Sequence, residues 1–190
     1  MDEIKGWNSY QKLYREFVDQ AQSGCQWVEV GVFLGKGLID AAVYAKFHKK
    51  DITFWAVDNW LGSDTENEHK EFINSIGGPD RFYEAFLYNT KKYGVQDIIK
   101  PLRMDADVAA TNFPDHSLDI VYLDAAHTYN AVCTNIQSWL PKVKIDGILS
   151  GHDINCSEVK KAVLDTLGRY DGDKYDSWIY NNTKVNTKND

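Results

Sequence analysis

WVEVGVFLGKG, the stretch from Trp27 to Gly37, determines how the rest of the chain is arranged. It begins as a short apolar run and then breaks into three glycines, Gly31, Gly35 and Gly37. A run of helical composition, residues 38–46, follows at once. A buried strand, a glycine turn and a helix N-terminus in that order are typical of a loop that binds a nucleotide-like ligand. Glycine lets the backbone turn sharply and lets a ligand come close.

The spacing of the glycines distinguishes three known loop patterns. The dinucleotide fingerprint requires G-x-G-x-x-G, whereas this loop has G-x-x-x-G-x-G. A phosphate-binding P-loop requires one more residue between Gly31 and Lys36, and Gly37 stands where its magnesium-binding Ser or Thr is needed. The third pattern, E-x-G-x-x-x-G, is typical of class I S-adenosylmethionine-dependent methyltransferases, and Glu29, Gly31 and Gly35 match it. A tight strand-to-helix turn without a ligand is the alternative interpretation.

Length and composition indicate one folded domain spanning residues 1–190. Hydrophobic residues make up 43% of the chain, which is enough for a packed core rather than a disordered chain. The net charge of −7 argues against a general nucleic-acid-binding surface, although an RNA substrate held by a local patch stays open. We therefore expect a small-molecule partner, and the sequence leaves a homo-oligomer open.

Cysteine usage and hydropathy indicate the compartment. The three cysteines, Cys25, Cys133 and Cys156, are widely separated and form neither a metal-binding spacing nor a disulfide framework. No apolar run reaches transmembrane length, and the N-terminus has no signal-peptide pattern. These features predict a cytoplasmic protein with no membrane association.

Short apolar runs alternate with helical patterns along the chain. Such alternation predicts an α/β fold of the Rossmann-like, doubly wound type, with a mainly parallel sheet and helices on both faces. A last apolar run near the C-terminus is predicted to be an antiparallel strand. The predicted strands are residues 27–30, 51–58, 97–103, 118–124, 144–150 and 176–180.

Two segments fall outside this alternation. Residues 59–96 form a long connection, which in a compact α/β domain is typical of a lid or a substrate-binding insertion. Within it, Phe82, Phe86 and Tyr93 are spaced as core residues of a helix. His69 is either a site residue or a solvated helical histidine. Residues 181–190 are predicted to be a polar tail.

Acidic side chains end three of the predicted parallel strands: Asp58, Asp124 and Asp153. Ligands of open α/β sheets bind outside the carboxyl ends of the strands, so these acids should converge there with His127 and His152. A single acid at a strand end is usually a cap, but several together exceed what capping needs. Asp58, at the end of the second strand, is placed to accept hydrogen bonds from a ribose diol.

The combination of these pieces resembles class I methyltransferases of the small-molecule O-methyltransferase type. It is most similar to the metal-dependent family of macrolide (macrocin-type) and other sugar O-methyltransferases. The matching segments are VEVGVFLGKG, AVDNWLGS, IVYLDAAHTYNAVCTNIQSWLPKVKIDGILSGHDI and EVKKAV, which cover most of residues 26–163.

The resemblance implies S-adenosylmethionine as methyl donor and a divalent metal, Mg²⁺, as a second cofactor. It assigns the methionine part of the donor to the glycine loop, the ribose to the second strand end and the adenine to the turn after the third. The implied metal ligands are Asp124 and Asp153. The candidate donor-binding residues are Glu29, Gly31, Phe33, Gly35, Asp58, Asn59, Asp105, Ala106 and Asp124.

The sequence also departs from the family pattern. Metal-dependent relatives often carry a second acid or an amide after the fifth-strand acid, where this chain has Ile154. Either Asn155 or His152 substitutes for that ligand, or the metal is absent. Gly37 stands where many relatives have Ser or Thr. Residues 64–93 match no family motif, so the acceptor is undetermined.

The chemistry expected of such a site is methyl transfer to a hydroxyl of a sugar or another small molecule. The sulfonium methyl is already activated, so the protein mainly aligns an in-line displacement. A hydroxyl must lose its proton, which assigns catalytic roles to His127 as base and to Asp124 beside it. A structural role for His127 is the alternative. Two other functions stay open: methyl transfer to an amine, a protein or RNA, and non-catalytic binding of the donor or a nucleotide.

Overall fold

Seven strands form one mixed sheet in a computed structural model that describes residues 3–62 and 67–183. The strands are β1 (Cys25–Val30), β2 (Ile52–Asp58), β3 (Ile99–Arg103), β4 (Leu118–Leu123), β5 (Val143–Gly151), β6 (Gly172–Lys174) and β7 (Ser177–Asn181). The α-helices are α1 (Gln11–Gln20), α2 (Lys36–Phe47), α3 (Asn67–Ser75), α4 (Pro79–Lys92), α5 (Ala106–Ala109), α6 (Tyr129–Trp139) and α7 (Ser157–Leu167). Two short 3₁₀ helices, Ala110–Asn112 and Leu140–Lys142, follow α5 and α6.

The sheet order is β3-β2-β1-β4-β5-β7-β6, with β1 at its centre. β1 pairs in parallel with both β2 and β4, and β3 and β5 extend the parallel part on either side. The predicted doubly wound α/β fold is therefore confirmed. Its strand order reverses between β1 and β4, which opens a crevice at their carboxyl ends.

Side chains of the central strands point alternately to the two faces of the sheet and pack into two hydrophobic cores, one on each face. Trp27 of β1 packs into the core formed with α1, α2 and α4, whereas Val28 packs into the core formed with α6 and α7. Both side chains are fully buried. Successive residues of a strand point to opposite faces, so a strand covered on both sides has an uninterrupted apolar sequence.

The C-terminal end of the sheet is antiparallel, as predicted, but it is a hairpin rather than a single strand. β7 pairs with β5, placing Gly151 opposite Trp178, and the additional strand β6 pairs with β7. Asn181, the first residue of the predicted polar tail, is the last residue of β7. Asn182 donates its backbone N–H to the carbonyl of Gly147. Residues 184–190 of that tail lie outside the described residues.

The connection predicted as a lid or a substrate-binding insertion contains two helices, α3 and α4, and residues 63–66 within it lie outside the described residues. The α4 side chains Phe82 and Phe86 are buried in the same core as α1 and α2. The Phe86 ring packs against the glycine loop, where a Cβ on Gly35 would lie 2.9 Å from it. α4 therefore belongs to the body of the domain.

Helices long and apolar enough to cross a membrane are absent from residues 3–62 and 67–183.

Candidate active site

A cavity of about 920 Å³ opens at the carboxyl ends of the parallel strands. Its lining comes from the residues that follow β1, β2, β3, β4 and β5, together with α6 and the segment before α1. This volume suits a cofactor and a small acceptor together. The predicted site residues that line it are Gly31, Phe33, Asp58, Asn59, Asp105, Ala106, Asp124, His127 and Asp153.

The glycine loop crosses closely over the end of β4. Gly31 has a positive φ of 88°, and a Cβ there would lie 2.1 Å from the backbone oxygen of Asp124. The end of β4 is also held against β1, because the N–H of Asp124 donates a hydrogen bond to the carbonyl of Val30 at 2.7 Å. Only glycine fits this crossing, so the first glycine of the motif is required by packing whether or not a ligand is bound.

Asp58 holds the same loop from the side of β2. Its Oδ2 accepts hydrogen bonds from the backbone N–H groups of Val32 and Phe33, each at 2.9 Å, and its Oδ1 accepts from Trp60 at 2.7 Å. Burial raises the pKa of Asp58, and these backbone donors oppose that rise. The carboxylate thus fixes the loop conformation while it faces the cavity.

Two predicted donor-binding residues lie behind the cavity wall. The carboxyl of Glu29 is buried, and the Tyr10 hydroxyl donates to its Oε1 at 3.5 Å. Burial, followed by the nearby charge of Asp124, raises the pKa of Glu29 well above its usual range. Gly35 is the left-handed residue immediately before α2, with φ of 83°. Neither Glu29 nor Gly35 is among the described residues that line the cavity.

The turn after β3 lines another part of the cavity. Asn59 donates its side-chain N–H to Oδ1 of Asp105 at 2.9 Å, which joins the ends of β2 and β3. Asp105 precedes α5, and the carbonyl of Ala106 accepts a hydrogen bond from Trp139 Nε1 at 2.9 Å. These contacts place the predicted adenine-side residues together and tie them to α6.

A cluster of acids and histidines lies where β4 and β5 end. Asp124, His152 and Asp153 each offer one ligand atom, and these atoms lie within 4.8 Å of one another. The two carboxylate oxygens suit a divalent cation such as Mg²⁺ or Mn²⁺, and the imidazole nitrogen is a ligand that transition metals accept more readily than Mg²⁺ does. The structure thus brings together the two predicted metal ligands, Asp124 and Asp153, and adds His152 to them.

The position of His152 also bears on the departure at Ile154. Ile154 is buried in the hydrophobic core and is not part of the cluster. The backbone of Asn155 is held by the side chain of Asp176 at 3.1 Å, and Asn155 is likewise outside the cluster. Asp153 has a left-handed backbone, with φ of 58°. Strand alternation is broken there, so consecutive side chains, His152 and Asp153, reach the same cluster.

His127 completes this cluster from the start of α6. Its Nε2 lies 3.9 Å from Oδ1 of Asp124 and 2.9 Å from Oδ2 of Asp153. The two carboxylates, Asp124 and then Asp153, raise the pKa of His127 to about 10, against the opposing effect of burial. Burial favours a higher pKa for Asp153, but its hydrogen bonds with His127 and His152 hold that pKa well below the usual value.

The segment before α1 also covers the cavity, which the sequence did not indicate. Its backbone is held at Gly6, whose carbonyl accepts a hydrogen bond from Lys36 Nζ at 3.1 Å. Trp7 lies over the loop, with its ring centroid 5.8 Å from that of Phe33. Ser9 Oγ is 2.9 Å from His152 Nε2. These contacts join residues far apart in the sequence, and no local pattern announces them.

Comparison with known proteins identifies the class of this domain. The family described as "Methyltransferase domain" matches residues 28–154, which include the glycine loop and the acids at the strand ends. The chain belongs to this family and is an S-adenosylmethionine-dependent methyltransferase domain. The uncharacterized protein y4gI of Sinorhizobium fredii is 25% identical over 104 residues, which are 55% of this chain and 10% of that protein.

Solved structures share the fold at low sequence identity. The O-methyltransferase NovP aligns with a TM-score of 0.68 and 18% identity, over 93% of this chain and 80% of NovP. An S-adenosylmethionine-dependent O-methyltransferase from Thermotoga maritima aligns with a TM-score of 0.56 and 13% identity, over 87% of this chain and 52% of that protein. A precorrin 8W decarboxylase from Methanobacterium thermoautotrophicum aligns with a TM-score of 0.60 and 16% identity, over 90% and 77%. These likenesses concern the fold and leave the acceptor undetermined.

Proposed function

We propose that this domain transfers the methyl group of S-adenosylmethionine to a hydroxyl of a sugar or a similar small molecule. The observation that carries this proposal is the cluster of Asp124, His127, His152 and Asp153 in the cavity beside the glycine loop. A hydroxyl is a weak nucleophile until it loses its proton. Such a cluster offers a general base and metal ligands, both of which assist that loss. The likeness to NovP, described as an O-methyltransferase, supports the same acceptor class.

In this proposal the donor lies across the ends of β1, β2 and β3. The glycine loop from Gly31 to Gly35 takes the methionine part, with Glu29 acting from behind it. Asp58 and Asn59 take the ribose, and the turn at Asp105 takes the adenine. The loop clamp by Asp58 fixes the loop in advance, which reduces the entropy lost when the donor binds.

Asp124, His152 and Asp153 would hold the divalent metal. When bound, the metal would polarise the acceptor hydroxyl and lower its pKa. The protein's own contribution is to orient the acceptor between the cluster and the donor methyl, so that oxygen, carbon and sulfur are in line. His127, 2.9 Å from Asp153, is placed to take the hydroxyl proton once its own proton has left.

His127→Gln is expected to lower turnover about 10²-fold or more, with donor affinity nearly unchanged, because glutamine cannot take a proton. The neutral base is the form required, and the pKa of His127 is raised to about 10. Turnover of the metal-free wild type should therefore rise from neutral pH towards pH 10. The measurement is a pH–rate profile of both proteins. A variant that keeps wild-type turnover would make His127 structural.

The proposed activity is tested by assaying methyl transfer to a panel of glycosides and small phenols or alcohols, with added Mg²⁺ and with excess chelator. Thermal unfolding with S-adenosylmethionine, S-adenosylhomocysteine and NAD accompanies the assay, since ligands of the native state raise its melting temperature. Stabilisation by the first two ligands without transfer to any hydroxyl would favour another acceptor, such as an amine, a protein or RNA, or a donor-binding protein. Full activity in chelator would remove the metal from the proposal.

We also expect this protein to work in the cytoplasm. Cys25, Cys133 and Cys156 are all free, which suits a reducing compartment.

A further inference from the structure

The side chain of Asn135 is a buried amide that faces the candidate cavity. It is 7% exposed, and it lies in the middle of α6 among the residues that line the cavity. Within the described part of the chain, no hydrogen bond involves its amide. Its polar atoms are not among the fully buried side-chain atoms of the described residues that lack a partner, so they keep contact with the cavity. A ligand in the cavity can therefore hydrogen-bond to both the oxygen and the nitrogen of this amide.

The position of Asn135 on α6 indicates which part of a ligand it meets. Ala131, Asn135 and Trp139 are four residues apart and share one face of the helix, spaced by about 6 Å each. Trp139 Nε1 donates a hydrogen bond to the carbonyl of Ala106, so this face of α6 is turned towards the start of α5. One turn up, the small side chain of Ala131 leaves space, and it lines the cavity beside Asn135.

The turn after β3 lines the same cavity, and the hydrogen bond from Trp139 to Ala106 joins it to α6. Met104, Asp105 and Ala106 line the cavity together with Ala131 and Asn135. Asp105, a polar group in this turn, already accepts a hydrogen bond from Asn59 at 2.9 Å. The thioether of Met104 and the methyl groups of the alanines suit the faces of a flat apolar ring. The amide of Asn135, which makes no hydrogen bond within the described residues, can pair with the polar edge of such a ring.

We propose that Asn135 reads the adenine of the methyl donor, its amide oxygen accepting from the 6-amino group and its amide nitrogen donating to a ring nitrogen. A planar amide presents a donor and an acceptor side by side, and this is the pattern that pairs with adenine at two points. The inference rests on the proposed donor site, and it names a residue that specifies the base within that site.

The test is a double-mutant cycle between the residue and the ligand group. Isothermal titration calorimetry compares S-adenosylhomocysteine with its purine analogue, which lacks the 6-amino group, on wild type and on Asn135→Ala. We expect loss of the amino group to weaken binding to wild type about 10-fold or more and to matter little in Asn135→Ala. Asn135→Ala itself should bind S-adenosylhomocysteine about 10- to 100-fold more weakly than wild type.

Gln137→Ala is the matched control, since it removes an exposed amide from the same helix outside the cavity lining. It should leave both affinities unchanged. Asn135→Ser replaces the alanine variant if the latter does not fold. The inference is overturned if the amino group contributes equally in wild type and variant, if wild type binds both ligands alike, or if only the KM of the acceptor changes. Wild type that binds no S-adenosylhomocysteine would instead remove the proposed donor site.

Discussion

Gly31 and Asp124 meet where β1 and β4 end, and this contact explains the least replaceable glycine of the loop. A side chain at residue 31 would collide with a backbone oxygen rather than with a movable group. The sequence pattern assigned Gly31 to the donor, and the structure gives it a second reason to be glycine. The packing reason can be separated from the donor-binding reason, because the backbone clash lowers stability even without a ligand.

Gly31→Ala is expected to destabilise the ligand-free protein by about 3 kcal/mol or more, since it adds a backbone clash to an unfavourable φ. Gly24→Ala is the control. Gly24 has a similar φ of 79°, but nothing lies within 4 Å of its added Cβ. It should cost about 1–2 kcal/mol, from the φ alone. Urea unfolding of both variants measures the difference, and equal losses would contradict the crossing described for Gly31.

Asp58→Ala is expected to weaken S-adenosylhomocysteine binding by about 1.5–3 kcal/mol, the range for a lost charge-assisted hydrogen bond. Three backbone N–H groups that donate hydrogen bonds to Asp58 would also lose their acceptor, so the ligand-free protein should be less stable. Calorimetry and urea unfolding measure the two effects separately. Reduced stability with unchanged affinity would place the ribose elsewhere and leave Asp58 as a clamp for the loop.

At the scale of elements, the alternation of apolar strands with helical runs was sufficient to predict the parallel strands β1 to β5. Strands such as WVEV are covered on both faces, so their composition identifies them without knowledge of their neighbours. The strand β6 was missed because its sequence, Gly172 to Lys174, is short and polar and is defined only by pairing with β7. Within the long connection, the helical spacing of Phe82 and Phe86 predicted core positions, and both side chains are buried in α4.

Phe86→Ala tests whether α4 belongs to the core. Phe86 is fully buried and contacts Trp60, with ring centroids 4.9 Å apart. We expect a loss of about 3–5 kcal/mol of unfolding free energy, the range for a buried phenylalanine. Leu87→Ala, at the next and partly exposed position, should cost much less. A loss below about 1 kcal/mol for Phe86→Ala in urea unfolding would mean that α4 is peripheral, as a lid would be.

The candidate site was predictable to the extent that strand ends converge. Asp58, Asp124 and Asp153 follow β2, β4 and β5, so a parallel sheet brings them to one edge. The role of His152 in the cluster was harder to predict. It depends on a left-handed backbone at Asp153, and an aspartate in the sequence does not by itself indicate that conformation. The sequence did not indicate a site role for Asn135. An asparagine within a helix is expected to be on the surface unless the packing of that helix is known.

At the scale of the whole molecule, the ion pair of His127 and Asp153 links stability to pH. The pKa of His127 is raised, so its stabilising contribution is complete below its ordinary value of 6.5 and is lost as pH rises to about 10. The pKa of Asp153 is lowered, so its contribution is present above its ordinary value of 3.8 and is lost as pH falls. The pair therefore contributes most between these two ordinary values.

Wild type should exceed His127→Gln in stability most clearly between about pH 4 and pH 6.5, because both partners are then charged. The difference should shrink progressively towards pH 10. Melting temperatures of the two metal-free proteins across this range measure it. A difference that stays constant with pH would show that the contact of His127 with Asp153 is not an ion pair.

The segment over the cavity gives the molecule an optical property. Four of its six tryptophans, Trp27, Trp60, Trp139 and Trp178, are almost wholly buried, whereas Trp7 is 59% exposed beside Phe33 and the cavity. Dissolved iodide should therefore quench the emission of Trp7 before that of the others. Because Trp7 lines the cavity, we expect a bound ligand to shield this indole from iodide, and we expect the change in quenching to be absent from Trp7→Phe. The fold thus contains its own fluorescent gauge of binding, and no label has to be attached.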